Sequence, residues 1–506
     1  MAKEKEKEKE TKEKSLFVGL AWSCGDMKLL LTSLFFLCSL ATIIQFHPSL
    51  TSGPHTTSLL SCLVPTLPVP ETPANLSSTD STPVTVAPHP MKKEEKTGMD
   101  SVIKRSFNPV GSAAYLFIQM SAYRGGLNTF AVIGLSSKPL HVFAKPQFKC
   151  EWVDNADTGN GSSVFANGYT ILPDWGYGRV YTVVVVNCTF DKPVGLNGSG
   201  GKLVVHASTN GGGDREVDSI ESFVAIEEEP GSVNGSVFTA PPEYDYLYCG
   251  SPLYGNLSPQ RVREWIVYHV KLFGKRAHFV IYDASGVHPA VMDVLRPWIE
   301  IGAVTLHDVR DQERFDGYYH NQFLVVNDCL HRYRFNTKWM FFFDVDEFVY
   351  LEPGLMVDSL MKELEGYSQF TIEQMPMSNK ICRADDKGKS WRMWGFEKLV
   401  YKDVKRGIRR DRKYAIQPRN AFATGVHMSQ NIAGKSLHKT EGRIKYFHYH
   451  GTIANRREPC TEFTNTSELA FDRTPYVLDE TLRRLAGSIK RFELKTIGDR
   501  LVHTRQ

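Results

Sequence analysis

The stretch that most constrains the fold runs from Trp339 to Leu351 and reads W-M-F-F-F-D-V-D-E-F-V-Y-L. Trp339, Met340, Phe341, Phe342 and Phe343 follow one another without a polar break, the pattern of a strand buried on both faces inside a parallel sheet covered by helices. Acid then replaces the apolar run. Asp344 and Asp346 are two residues apart, so at a strand end their carboxylates project to one side, where sheets of this kind bind ligands. Two hard oxygen donors suit Mn²⁺ or Mg²⁺ and leave the remaining positions to phosphate oxygens and water. That is the chemistry of a nucleotide-diphosphate site. The competing reading is a strand cap or turn, because aspartate is favoured there and D-x-D is short.

The surrounding chain favours the first reading. Tyr244 to Cys249 predicts a strand; Ser258 and Pro259 then supply an N-cap and a first-turn proline, and Gly274 ends the helix. Ala277 to Tyr282 predicts a second strand ending at Asp283, followed by a helix over 289–299 broken near Pro297 and a third strand at 303–306. Phe323, Val326, Leu330 and Tyr333 share one face of the helix that leads into the central strand. This alternation predicts a mostly parallel α/β sheet. Gln369 to Gln374 and Ile444 to Tyr449 read as later strands, and Leu478, Leu482, Leu485, Ile489 and Phe492 as a C-terminal basic helix. The basic run from Lys402 to Lys413 reads as solvated surface, with phosphate or an acidic polymer as its alternative contact.

Residues 107–238 follow a different rule: short apolar runs separated by Gly, Asn, Asp and Pro, predicting strands at 115–120, 129–135, 140–143, 148–153, 180–190, 202–207 and 222–226. That spacing predicts a β-sandwich. Trp152, Trp175, Tyr169, Tyr177 and Tyr181 could stack on sugar rings or fill its core.

The N-terminus supplies the compartment. Residues 1–28 begin with a Lys/Glu-rich tail, residues 29–46 carry no charge over a length that spans a bilayer, and 47–105 form a Pro/Ser/Thr-rich stem. Lys28 and the tail precede the apolar segment and no Lys or Arg follows until Lys92, so the positive-inside rule predicts a type II anchor with a lumenal body. A cleaved signal peptide is the competing reading. N-x-S/T sequons at Asn75, Asn160, Asn187, Asn197, Asn234, Asn256 and Asn465 agree with a lumenal body. Seven cysteines lie beyond the anchor without C-x-x-C spacing, so disulfides are allowed, but their pairing cannot be read and one cysteine must stay over. The net charge of +4 is too small to argue for nucleic acid. The expected domains are a β-sandwich module at 106–240, an α/β domain at 241–475 and the C-terminal helix at 476–506.

Tyr319-His320-Asn321-Gln322, the F-F-D-V-D-E-F of 342–348, the W-G-F-E-K of 394–398, the T-G-V-H-M of 424–428 and the F-H-Y-H-G of 447–451 together resemble glycosyltransferase family 92, over about residues 244–470. The tail, stem and β-rich module resemble its plant members, the pectic β-1,4-galactan synthases. The resemblance implies a GT-A-type (Rossmann-like) catalytic domain that moves galactose from UDP-galactose, with inversion, onto the end of β-1,4-galactan side chains of rhamnogalacturonan I in pectin. It implies Mn²⁺, with Mg²⁺ as second choice, held by Asp344 and Asp346 and completed by a late histidine, His448 ahead of His450. An acceptor-side base is required; Glu397 is the first choice and Asp386 the second. Ser251 and Asp283 are placed to contact uridine, His320 and Gln322 the nucleotide side, and His427 the diphosphate or the acceptor. The module resembles a carbohydrate-binding module that would hold the polymer near the catalytic domain. Related Golgi enzymes imply a homodimer anchored by one helix in the Golgi membrane. UDP-arabinopyranose or UDP-glucose as donor, and a membrane-anchored lectin with an inactive α/β domain, are the alternatives; no residue here distinguishes one sugar from another. A phosphohydrolase of the haloacid-dehalogenase type needs Thr or Val where this chain has Phe348.

Overall fold

Alternating inward and outward side chains dominate the first half of the computed structural model, and buried apolar strands the second. It describes residues 95–97, 102–501 and 504, apart from 111–114, 138–145, 156–162, 174–179, 209–219, 316–317, 406–411 and 455. The expected anchor at 29–46, the tail, nearly all of the stem, the strand expected at 140–143, Trp175 and Tyr177 lie outside the described residues. All described residues belong to one unit, 83–506.

Strands β1 (Glu95–Thr97) and β2 (Val102–Lys104) pair antiparallel, and β2 joins the edge of the large sheet described below. Next come β3 (Asn108–Val110), β4 (Phe117–Arg124), β5 (Thr129–Ser137), β6 (Gln147–Asp154), β7 (Val164–Ile171), β8 (Tyr181–Thr189), β9 (Gly201–Ser208) and β10 (Ile220–Glu228). They form one antiparallel sheet of eight strands in the order β10-β9-β6-β7-β8-β5-β4-β3. Gln119 of β4 donates to the carbonyl of Ala225 on β10 (2.7 Å), so the sheet curls until its ends meet. Phe117, Phe130, Phe148, Trp152 and Phe223 fill the space it encloses. The expectation of two facing sheets is thereby corrected to one curled sheet, because residue alternation is the same for both and closure depends on twist. Strand β7 was not expected: Asn167-Gly168 resembles a turn. Gly168 instead sits opposite Phe148, where an added Cβ would lie 2.8 Å from the phenylalanine Cβ, so only glycine lets the two strands approach.

The α/β part begins with β11 (Tyr244–Cys249), α1 (Pro259–Phe273), β12 (Ala277–Asp283), α2 (Pro289–Glu300), β13 (Val304–Asp308), α3 (Gln322–Arg332) and β14 (Thr337–Phe342). Ser258 caps α1 by accepting from the Arg261 amide, and Gly274 ends it at φ +79°. Helix α2 runs through Pro297 without the expected break; Val294, Leu295 and Trp298 bury around the proline and hold the helix on the sheet. Four strands, in the order β13-β12-β11-β14, are parallel. Beyond β14 come β15 (Glu347–Leu351), β16 (Gln369–Pro376), the short helix α4 (Gly395–Lys398), β17 (Arg412–Ile416) and β18 (Ile444–His448). The sheet continues β14-β17-β16-β18-β15 with mostly antiparallel pairings, so the parallel expectation describes only its first half. The last α-helix is α5 (Ala486–Ile497), which starts later than expected because 474–478 pairs as a strand.

Helix α3 joins the two parts. Its sequence shows one apolar face, yet every residue from Gln322 to His331 is buried, because the parallel sheet covers one side and β4, β5 and β8 the other. Asp328, on α3, accepts two bonds from Arg105 (2.8 Å each) and one each from the hydroxyls of Tyr123 and Tyr282 (2.6 Å each). These cationic and hydroxyl donors satisfy a carboxylate that burial would otherwise penalise. Disulfides Cys150–Cys188, Cys249–Cys329 and Cys382–Cys460 use six of the seven cysteines beyond residue 46; the second fastens α3 to the end of β11. This framework fixes Gln322, the first residue of α3, beside the acidic motif.

Candidate active site

Strand β14 stops at Phe342, and Asp344 to Glu347 form a turn. The Glu347 amide donates to the Asp344 carbonyl (3.2 Å), and the Asp344 amide donates back to the Glu347 carboxylate (2.7 Å). Trp265 of α1 pins this turn by donating its indole N–H toward the carbonyls of Asp344 (3.2 Å) and Glu347 (3.0 Å). The two-residue spacing therefore does not place both aspartates on one strand face. Asp344 points one way: its Oδ2 accepts from Lys413 Nζ (2.7 Å) and its Oδ1 from Gln322 Nε2 (3.0 Å). Asp346 points the other way, toward β18. Its Oδ2 accepts from the Gly451 amide (3.1 Å) and its Oδ1 lies 3.5 Å from His448 Nε2.

Donor atoms of Asp346, His448 and His450 all lie within 4.8 Å of one another. Glu347 pairs with His448 in register across β15 and β18, so the motif and the late histidine meet through ordinary strand pairing. One carboxylate and two imidazoles form a donor set that Mn²⁺ accepts. The far side of His448 is also held: its Nδ1 lies 2.6 Å from Gln374 Nε2 and 4.0 Å from Glu347 Oε1, the kind of outer contact that orients a metal-binding imidazole. The residues present thus fit a divalent cation, and Asp344, expected in that set, stands outside it because Lys413 and Gln322 occupy its oxygens.

Charge is balanced inside the cluster. Burial alone would raise the Asp344 carboxyl, but the Lys413 ammonium outweighs it and holds the group below the usual range. Burial pushes Glu347 up to about 8 against the pull of the same lysine. Burial would lower His448, whereas its bond with Asp346 and the neighbouring acids raise it. Lys413 is raised despite complete burial, because Asp344 and Glu347 flank it. A cavity of about 540 Å³ opens at the other, N-terminal ends of β11 and β14 among Asp245, Lys338 and Asp358. It lacks a convergent histidine–carboxylate set, so the chemistry belongs at the strand C-termini.

Residues 244–485 match glycosyltransferase family 92. The chain is 54% identical to galactan beta-1,4-galactosyltransferase GALS3 of Arabidopsis thaliana and 51% identical to GALS2 of the same plant, in each case over 100% of both chains. It is 53% identical to GALS1 over 78% of this chain and 79% of that protein. The chain belongs to glycosyltransferase family 92. This family-92 protein is therefore an enzyme, a glycosyltransferase with an N-terminal β-rich region.

The remaining motifs of the family-92 domain fall into place with mixed outcomes. In W-G-F-E-K, Glu397 accepts from the Trp394 amide (3.1 Å) and from Lys490 Nζ (2.5 Å), closing the first turn of α4. Gly395 lies under the buried Arg261–Glu264 pair: its amide donates to Glu264, and an added Cβ would sit 0.8 Å from the Arg261 guanidinium. Beside them a cleft of about 410 Å³ is lined by Gln260, Arg263, Trp391, Arg392, Trp394 and Glu458. Asp386 is corrected as a base, since it is fully buried and bound by the two terminal guanidinium nitrogens of Arg483 (2.6 and 3.0 Å). Asp283 uses Oδ1 to accept from the amides of Gly286 and Val287 (2.9 Å each), so that oxygen shapes a turn rather than facing uridine. Ser251 is half-buried just past β11. His320 stacks on Tyr254 with ring centroids 3.7 Å apart, in a left-handed turn with φ of 49°, 49° and 55° at Tyr319, His320 and Asn321. His427 is exposed and contacts the carbonyl of Arg412, next to Lys413. Trp152 is core, stacked on Phe130, while Tyr169 is 67% exposed and Tyr181 half-buried.

Sequence reasoning missed Lys413 and Gln374. The basic run ending at Lys413 reads as solvated surface or as a contact for phosphate or an acidic polymer, yet Lys413 is 2% exposed. Its signal was the apolar Tyr414-Ala415-Ile416 directly after it, which marks a strand entering the core. Gln374 lay in an expected strand without any mark of its role.

Proposed function

We propose that this glycosyltransferase moves galactose from UDP-galactose, with inversion, onto the non-reducing end of pectic β-1,4-galactan, using Mn²⁺ held by Asp346, His448 and His450. The observation that carries the reading is the convergence of these three donors in a chain whose full-length relatives are named galactan beta-1,4-galactosyltransferases. A divalent cation there supplies positive charge to the departing diphosphate. For His448 to offer the Nε2 lone pair, its proton must sit on Nδ1, and Gln374 must turn its amide carbonyl toward it; amide orientation is assigned from such networks. Asp344 keeps Lys413 and Gln322 in place beside the donor. Glu397 is proposed to take the acceptor hydroxyl's proton; it accepts from the amide of Trp394, which lines the cleft of about 410 Å³, and Lys490 is its counter-charge.

The proposed setting is the Golgi lumen, with one N-terminal helix in the membrane and a homodimeric assembly. Three disulfides and the sequons support the lumenal part. The β-rich region is proposed to hold the polymer, raising its local concentration. The test is UDP release by the purified protein with UDP-galactose, UDP-glucose and UDP-arabinopyranose in turn, each with Mn²⁺ and a β-1,4-galactan oligosaccharide. Turnover with UDP-galactose that vanishes on chelation and in Asp346→Asn is expected. Glycan binding without UDP release from any donor would make the chain a lectin and sink the proposal.

A further inference from the structure

Five of the seven sequon asparagines are described, and the side chains of four of them, Asn187, Asn197, Asn234 and Asn465, are not equivalent. Asn197 Nδ2 donates to Asp154 (2.9 Å), and Asn465 Nδ2 donates to Asp385 (3.3 Å). The carbonyl oxygen of Asn234 caps a turn by accepting from the Ser236 amide (3.0 Å). Asn187 instead donates from Nδ2 to Thr189 Oγ1, the hydroxyl of its own sequon, at 3.1 Å. The pair meets because residues two apart on β8 share one face. That face starts with Val183 and Val185, which are buried in the core shared with α3, and emerges from cover at Asn187 and Thr189. Directly opposite Asn187, on β7, stands Tyr169. Its ring is 67% exposed, unusual for a large aromatic in the middle of a sheet. Cβ atoms at directly opposed positions lie about 5 Å apart, so a bulky group attached to Asn187 Nδ2 has the tyrosine ring within its reach.

We propose that Asn187 carries an N-linked oligosaccharide and that Tyr169 is the surface on which its first sugar packs. The Nδ2–C1 bond forms as the C1–O bond to a lipid diphosphate breaks; the amide loses one proton and the lipid diphosphate leaves with the bonding pair. The donor is the lipid-diphosphate-linked oligosaccharide of the secretory lumen, so the inference rests on the lumenal placement proposed above. The sugar's C–H face covers the aromatic ring while its hydroxyls stay in water, which accounts for an exposed tyrosine in the sheet. Tyr169, one of the aromatics with which the β-rich region could stack on an acceptor polymer, is then occupied by the protein's own glycan.

The test uses the full chain made in plant cells, with glycopeptides mapped after amidase release in heavy-oxygen water. Modification at Asn187 that is lost in Thr189→Ala, with other sequons unaffected, is expected. Tyr169→Ala should leave occupancy intact but lower the thermal midpoint by about 1–3 °C. The same substitution in an Asn187→Gln background should produce no further drop. An unmodified Asn187 in a protein glycosylated elsewhere overturns the proposal and leaves the lumenal reading standing; so does an equal Tyr169→Ala effect in both backgrounds. A chain unmodified at every sequon overturns both.

Discussion

Glu347 offers a direct measure of how the acid cluster is balanced. Its side chain is 1% exposed, and burial holds it protonated until about pH 8, whereas the same group titrates near 4.5 when free. Between those values the folded protein keeps a proton that the unfolded chain has released. Stability therefore falls as pH rises through that window, by about 1.4 kcal/mol per pH unit, and levels off above it. Glu347→Gln removes the titration and retains an oxygen to accept from the Asp344 amide, the bond now made at 2.7 Å. The variant should match the wild type near pH 4.5 and gain on it with rising pH, toward a ceiling of about 5 kcal/mol. Relaxation of the neighbours and water entry reduce this, and about 2 kcal/mol is expected at pH 7, or about 2–3 °C for a unit of this size. Scanning fluorimetry in the presence of a chelator, at pH 5, 6, 7 and 8, gives the comparison. A gap that stays constant with pH, or a variant less stable than wild type at pH 7, would show that Glu347 is ionised in the fold and that Lys413 serves both acids.

Manganese binding followed by electron paramagnetic resonance should fall at least about 100-fold in Asp346→Asn and His448→Gln, but by less than about 10-fold in Asp344→Asn; equal losses at both aspartates would return Asp344 to the ligand set. Gln374→Leu should weaken the same binding by about 10–100-fold, with Gln374→Glu recovering most of it, since a carboxylate also accepts from His448 Nδ1; no change in Gln374→Leu would remove the residue from the support of the site. Gly395→Ala should destabilise by about 3 kcal/mol or more, because its Cβ overlaps Arg261 and separates a buried ion pair from the amide it serves; a thermal midpoint within 1 °C of wild type, about the scatter of such measurements, would contradict the packing.

How much of this was visible in the residues depends on the range of the interactions that decide each feature. Helix α1 announced both its ends, because a serine cap, a first-turn proline and a terminal glycine act within one turn. The β11-to-β14 alternation was legible for the same reason. Closure of the eight-stranded sheet was not, since the bond from Gln119 to Ala225 joins residues 106 apart. Burial all round α3 was hidden too: its outer face reads as mixed until β4, β5 and β8 cover it. Asp328 looks like an ordinary surface acid in the sequence; Arg105, 223 residues away, and the hydroxyls of Tyr123 and Tyr282 explain it.

The acidic motif shows how spacing alone can misjudge local geometry. Spacing by two implies a shared face only while the chain remains extended, and β14 ends at Phe342, before the first aspartate. Once the chain turns, each carboxylate is directed by what its own side meets. Asp344 meets Lys413 and Gln322, both buried and both brought by elements that the sheet order places next to β14 or against its face. Asp346 meets His448 and His450, because β15 reverses direction and pairs with β18. A charged residue directly against an apolar strand is the trace such pairings leave in sequence, and Lys413, last of its basic run and next to Tyr-Ala-Ile, carried it. A buried lysine needs a buried acid. Asking which acid it served separates Asp344 from Asp346, and leaves the aspartate that faces the histidines as the one for the proposed cation.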